Sequence, residues 1–173
     1  VIDILNRWAI VFYYKGTFRD LEELLFSHEY LIANITDKEK IGMFYAWQGF
    51  VLEFRGQYLK AREYLEKALE TGKEIKSKKI TGYACTWLSW LYGDLGLFKK
   101  GIEYGQKAND IGKELKGDHY VYFKSLAGIG VNYFWMGHAS EGIKTGEKLI
   151  QYGNKHSQTR SIAIGHFTKA GGY

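Results

Sequence analysis

The chain has 173 residues, a hydrophobic fraction of 46%, and 24 Lys and Arg against 19 Asp and Glu, for a formal charge of +5. That balance excludes a disordered tail, and the longest apolar run, Trp8 to Tyr14, is far shorter than the ~20 residues needed to span a bilayer. A single cysteine, Cys85, excludes an intrachain disulfide, and the absence of proline excludes polyproline recognition segments.

The charge excess is mild, and nucleic-acid binding needs cations clustered on one face. The densest basic run, Lys73, Lys76, Lys78 and Lys79 with Glu74 among them, reads as the solvated end of a helix. No nucleic acid is therefore expected as a partner. No basic, apolar secretory leader opens the chain, which together with the lone cysteine predicts a cytoplasmic setting. The chain starts at Val1 rather than Met, which reads as a fragment or a processed product.

Four glycines organise the chain: Gly16, Gly56, Gly96 and Gly137. Four residues before each stands a large side chain (Phe12, Leu52, Tyr92, Tyr133), and seven before each a small one (Ala9, Gly49, Ser89, Gly130). Two residues after come Phe18, Tyr58, Phe98 and Ala139; five after come Leu21, Ala61, Gly101 and Gly142; twelve after come His28, Ala68, Ala108 and Leu149. Large and small residues at this spacing predict a helix before each glycine and another behind it. The glycine can take the left-handed conformation that ends the first helix. The first pair is the irregular one, with Leu21 and His28 where small residues are expected. Later second helices are predicted to run to about Lys76, Leu115 and Lys155. Thr36-Asp37-Lys38-Glu39 has the form of a capping box, a side-chain oxygen receiving backbone N–H groups and a Glu reaching back. Lys116-Gly117-Asp118 offers a glycine stop followed by an N-cap. These breaks predict one domain with repeats at about 1–37, 38–78, 79–118 and 119–158, and a partial fifth over 159–173 that lacks its own hinge. The parent protein is expected to continue beyond it.

One hairpin cannot bury both of its faces, so successive hairpins must stack into a solenoid. With Gly49…Leu52, Ser89…Tyr92 and Gly130…Tyr133 followed by hinge glycine, aromatic and small residue, the chain resembles a tetratricopeptide repeat (TPR) array over its full length. Two departures are a period near 40 instead of 34 and the missing terminal proline of each repeat. The resemblance implies an all-α fold, a right-handed α-solenoid of stacked helix-turn-helix hairpins. The 40-residue, proline-free variety is similar to arrays in bacterial multidomain regulators, which implies a regulatory or sensory arm behind a nucleotide-cyclase, ATPase or transcription-activator module.

No spaced set of titratable residues points to catalysis. The five histidines, His28, His119, His138, His156 and His166, share no metal-ligand spacing and read as solvent-facing or junction residues. The segment Gly82 to Trp87 superficially resembles a cysteine-protease nucleophile neighbourhood, but Cys85 falls on a packing helix as a small buried hydrophobe. Gly128-Ile129-Gly130 lacks the third glycine and the preceding strand of a dinucleotide site. No cofactor, no metal and no enzymatic activity are expected.

In a TPR-like array the first helices of successive repeats line the inner surface. The face of each that points away from its hairpin partner carries Asn6, Ile10, Tyr13, Phe50, Phe54, Tyr83, Trp90, Lys124, Phe134 and Trp135. This face reads as aromatic with few charges, suited to an apolar or amphipathic protein segment. The competing reading is that a tight stack packs these rings against neighbouring repeats. A further candidate surface is the end bearing Ile162, Phe167 and Ala170, where a second copy could pair. The expected function is a protein–protein interaction scaffold.

Overall fold

The structure is a computed structural model that describes residues 1–116 and 118–171. The chain runs through α1 (Ile2–Lys15), α2 (Phe18–Ser27), a 3-10 segment (Glu29–Asn34), α3 (Lys38–Phe54), α4 (Tyr58–Glu74), α5 (Lys78–Asp94), α6 (Phe98–Glu114), α7 (His119–Trp135), α8 (Ala139–His156) and α9 (Thr159–Ala170), with no strand among the described residues. It is an all-α fold of stacked helix-turn-helix pairs, as the periodicity predicts. Two compact units divide it, Val1–Trp87 and Leu88–Tyr173, with the division inside α5. No helix of the described residues is long and apolar enough to cross a membrane.

Within each pair the chain reverses on a glycine at positive φ, 74° at Gly16, Gly56 and Gly96 and 77° at Gly137. At Gly56 the N–H of Gln57 donates to the Leu52 carbonyl and that of Gly56 to the Glu53 carbonyl, both at 2.9 Å. The same two bonds recur at Gly96 and Gly137. This is a Schellman turn, which satisfies helix-end carbonyls and needs a left-handed residue that only glycine adopts without strain. At two of the junctions between pairs, after α4 and after α8, an L-residue takes the left-handed conformation instead. Lys76 and Ser157 sit at φ 54° and 55°, and the N–H groups of Ser77 and Gln158 each reach back to a helix carbonyl at 2.8 Å.

In the first unit, α3 and α4 touch at Gly49, where a Cβ would lie 2.5 Å from Leu65 Cγ. In the second, α8 and α9 come into contact through Gly146 and Gly165, where a Cβ on Gly146 would meet the Gly165 carbonyl oxygen at 2.7 Å. Small residues at helical spacing thus set the interhelix distance, and Ala61, Ala68 and Ala108 lie fully buried at the same kind of crossing. The first pair departs from this scheme. After Leu21 and Leu25, both buried, the Ser27 hydroxyl donates to the Leu24 carbonyl at 3.1 Å, and His28 Nδ1 lies 2.8 Å from the same oxygen. Two side chains compete for one helix-end carbonyl, and α2 stops after ten residues.

The cap of α3 also differs from expectation. Asp37 Oδ1 accepts from the N–H groups of Glu39 at 3.1 Å and Lys40 at 3.3 Å, so Asp37 is the N-cap. The side chain that closes the turn is that of Lys40, whose Nζ lies 2.9 Å from Asp37 Oδ2. At the start of α7 the Asp118 side chain accepts from the Tyr120 N–H at 3.1 Å. The predicted glycine stop at Gly117 and the last predicted residues, Gly172 and Tyr173, lie outside the described residues.

Candidate functional site

The first unit carries a cleft of about 420 Å³ built from α1, α3, the segment before α3, and the start of α5. Its apolar floor comprises Ile10, Met43, Trp47, Ile80 and Tyr83, with the Trp47 and Tyr83 rings edge-to-face at 5.8 Å. Asp3, Met43 and Tyr83 each stand thirteen residues before their own hinge glycine, so three helices present one register position to one space. Asn6 joins them, but its amide is engaged: Nδ2 donates to the Lys40 carbonyl at 2.9 Å and ties α1 to α3.

Around this floor stand Asp3, Arg7, Asp37, Glu39, Lys40 and Lys79, all exposed. Asp3 pairs with Arg7 at 3.3 Å and Asp37 with Lys40 at 2.9 Å. The hydrogen bond from the Lys40 ammonium, helped by the Lys40 backbone N–H, holds the Asp37 carboxyl below its usual range, and Lys40 is raised in turn. The sequence reading anticipated few charges here. Four of the rim residues lie at or before the first turn of α3 and α5, outside the register positions taken as the inner face, and Arg7 occupies the position that Trp47 and Trp87 hold in the next two repeats.

The other predicted inner-face residues fall into three groups. Tyr13 and Phe50 are core residues, 1% and 0% exposed, and are not available to a partner. Phe50 meets five rings, with centroids 4.2 Å away at Trp87, 5.5 Å at Tyr13, 5.6 Å at Phe18, and 5.7 Å at both Trp47 and Phe54. Ring-to-ring burial between helix pairs wins over an open aromatic surface at these two positions. Phe54, at the edge of that cluster, stays half in water. In the second unit Trp90 Nε1 donates to the Lys124 carbonyl at 3.1 Å, and the Lys124 ammonium lies 4.0 Å from the centre of the Trp90 ring. A cation therefore roofs that indole. Phe134 and Trp135 lie side by side at 5.1 Å, with Trp135 61% exposed.

The second unit also brings together residues that sequence spacing did not connect. His119 at the start of α7 and Tyr152 and His156 near the end of α8 converge because antiparallel helices place one start beside the other's end. His119 Nδ1 lies 2.5 Å from the Tyr152 hydroxyl, and the two imidazoles are 5.1 Å apart. With Tyr122, Lys148 and Lys155 they line a cleft of about 510 Å³. Burial is the main reason that the Tyr152 hydroxyl is raised above its ordinary pKa. The signal that could have found them was their helix-terminal position on paired helices, not their separation in sequence. Cys85 is buried on α5, and among the described residues no three His, Cys, Asp or Glu side chains form a metal-holding group.

No protein-family model matches the chain, and no curated protein sequence matches it. Among solved structures, the chain is similar to a protein of Podospora anserina described as a kinesin light chain with nearly identical TPR-like repeats. The TM-score is 0.65 at 14% sequence identity, over 98% of this chain and 89% of that one. At that identity the likeness concerns the fold alone: the helix pairs are stacked in a manner similar to TPR-like repeats.

Proposed function

We propose that the chain is a non-catalytic protein-interaction scaffold, and that its first unit holds a segment of a protein partner in the α1–α3–α5 cleft. The observation that carries this reading is the register. Successive first helices bring equivalent positions, Asp3, Met43 and Tyr83, to one cleft, which has an apolar floor and a rim of paired opposite charges. Ile10 and Met43, both half-buried, offer apolar burial, and a rim of both signs suits a segment with a hydrophobic stripe and mixed charge. Ile10, Met43 and Lys79 are the contact residues, with Asn6 holding the cleft in shape; Tyr83, at 6% exposure, belongs to the core beneath the floor. On the second unit the Phe134–Trp135 pair, with Trp135 largely in solvent, is a further aromatic position, as is the exposed Phe54 on the first; Lys124, 7% exposed, covers Trp90.

The test is selection of twelve-residue peptides from a random display library against the folded chain, followed by titration of the selected peptides. Met43→Asp is expected to raise Kd at least tenfold, about 1.4 kcal/mol, while Trp135→Ala leaves it unchanged. Peptides insensitive to Met43→Asp and Ile10→Ala, or no selected peptide at all, would overturn the cleft reading. Loss of binding in Trp90→Ala or Trp135→Ala alone would move the site to the second unit.

A further inference from the structure

The ends of the helix pairs carry a recurring charge pattern, and the fourth repeat breaks it. Eighteen residues before and after the hinge, the second repeat has Lys38 and Glu74, an ion pair that ties the start of α3 to the end of α4. The third repeat has an acid, Glu114, where the second has Glu74, and fourteen residues after the hinge the two repeats carry Glu70 and Asp110. In the fourth repeat these two acidic positions hold Lys155 and Gln151, and His119 stands where Lys38 does. Both carboxylates of the pattern are lost, one of them by charge reversal.

A second feature of the pattern is lost beside them. Eleven residues after the hinge, Lys67 and Lys107 lie over the rings of Tyr64 and Tyr104, at 4.8 Å and 5.3 Å from the ring centres. Lys148 holds the same position in the fourth repeat, but a buried threonine, Thr145, takes the place of the tyrosine. Among the described residues no carboxylate forms an ion pair with Lys148 or Lys155. The fourth repeat thus keeps its cations and drops the groups that occupy them elsewhere.

These cations face one space, the cleft of about 510 Å³ between the ends of α6 and α8 and the start of α7. Lys113, Lys148 and Lys155 line it with the imidazoles of His119 and His156, and no carboxylate does. Lys113 is shared with Asp110 at 2.8 Å. Asp118, whose charge reaches Tyr152, is the N-cap of α7, and neither it nor Glu114 lines the cleft. The half-buried rings of Tyr122 and Tyr152, 4.2 Å apart, form an apolar wall. A concave site lined by one sign of charge concentrates ions of the other.

We infer that this cleft binds a phosphate monoester, with its phosphate on Lys148, Lys155 and His156 and the esterified group against the Tyr122–Tyr152 wall. Ammonium and imidazole N–H groups give charge-assisted hydrogen bonds, and a phosphate dianion with three terminal oxygens accepts more of them than a carboxylate does. The cleft is larger than inorganic phosphate and falls in the range of small-ligand sites, about 300–1,000 Å³. The ester is either a free small molecule or a phosphorylated side chain of a protein segment, and the chemistry recognised is the same.

Isothermal titration calorimetry of the chain with phenyl phosphate, and with a blocked hexapeptide carrying one phosphoserine, tests this. At least one probe should bind at a single site with Kd below about 1 mM, and its counterpart without phosphate, benzoate or the unphosphorylated peptide, at least tenfold more weakly. Lys155→Glu, which restores the acid of the earlier repeats, and Lys148→Glu should each raise Kd at least tenfold, with far-UV circular dichroism unchanged because both side chains are exposed. Gln151→Glu, nearly the same shape, should weaken binding in the same direction and serves should either lysine variant disturb α8. Lys144→Glu, the same charge change on α8 outside the cleft, and Met43→Asp in the first unit should leave Kd within about twofold. Tighter binding of phenyl phosphate assigns the site to a small ester and tighter binding of the peptide to a phosphorylated segment, and either supports the inference. No saturable binding of either probe, benzoate as tight as phenyl phosphate, or Lys144→Glu as damaging as Lys155→Glu overturns it.

Discussion

Replacing Gly49 by alanine adds one methyl group at the tightest point between α3 and α4. A Cβ there would lie 2.5 Å from Leu65 Cγ, 2.6 Å from Cδ2 and 3.1 Å from the Leu65 backbone nitrogen. Carbon atoms in contact prefer roughly 3.5–4.0 Å, so about 1 Å must be found from a leucine that is 0% exposed. Overpacking of this kind costs about 1–3 kcal/mol, and the better helix propensity of alanine returns up to about 1 kcal/mol. A net destabilisation of about 1–2 kcal/mol is expected, lowering Tm by about 2–8 °C in a chain of this size. Gly142→Ala provides the contrast. Its Cβ would find the Gly130 carbonyl oxygen at 3.6 Å and nothing nearer, so propensity alone decides and the variant gains about 0.5–1 kcal/mol. Leu65→Ala by itself should cost about 2–5 kcal/mol. Combined with Gly49→Ala it should cost at least about 0.5 kcal/mol less than the sum, since the new methyl then enters space that Leu65 vacated. Urea unfolding followed by circular dichroism and by tryptophan fluorescence measures all four. A neutral Gly49→Ala, or strict additivity in the double variant, refutes the steric account.

Two further outcomes follow from the turns. Lys76→Gly should stabilise the chain by less than about 1 kcal/mol, because the left-handed conformation costs an L-residue roughly 1–2 kcal/mol and glycine's greater freedom when unfolded takes back part of the gain; Gly96→Ala should shift the urea midpoint the other way. Asp37 is held below its ordinary carboxyl value of 3.8 by the hydrogen bonds from Lys40, so its contribution is complete above that value and disappears as pH falls through the lower folded value. Asp37→Asn should therefore lose stability near pH 7 and show a shallower acid dependence, and urea midpoints at pH 7 and in strong acid that move in parallel for both chains would contradict this.

How far sequence reading reaches depends on whether the determining contact is periodic. The hinge glycines were legible because each hairpin turn needs a left-handed residue at one place, and the chain repeats that need four times. Helix ends near Lys76, Leu115 and Lys155 were legible to within two residues for the same reason. The early stop of α2 was not, because it arises from Ser27 and His28 acting on the carbonyl of Leu24, a local competition without a repeating signature. In the cleft, Ile10 and Tyr83 came from register, whereas Asp37, Glu39, Lys40 and Lys79 lay beyond the register positions. They reach the rim because helix starts flank the space that the helix faces line.

From its sequence alone this protein is an all-helical stack of hairpins: backbone reversal at glycine and small–large alternation at helical spacing are local requirements with few alternative solutions. Which aromatic side chains face water was a tertiary decision. Phe50 and Trp135 look equally suited to a binding surface as letters, yet one sits among five rings and the other lies mostly in solvent. Burial depends on what neighbouring helices bring to the same place, and only their packing determines that. The convergence of His119, Tyr152 and His156 follows from the same physical fact.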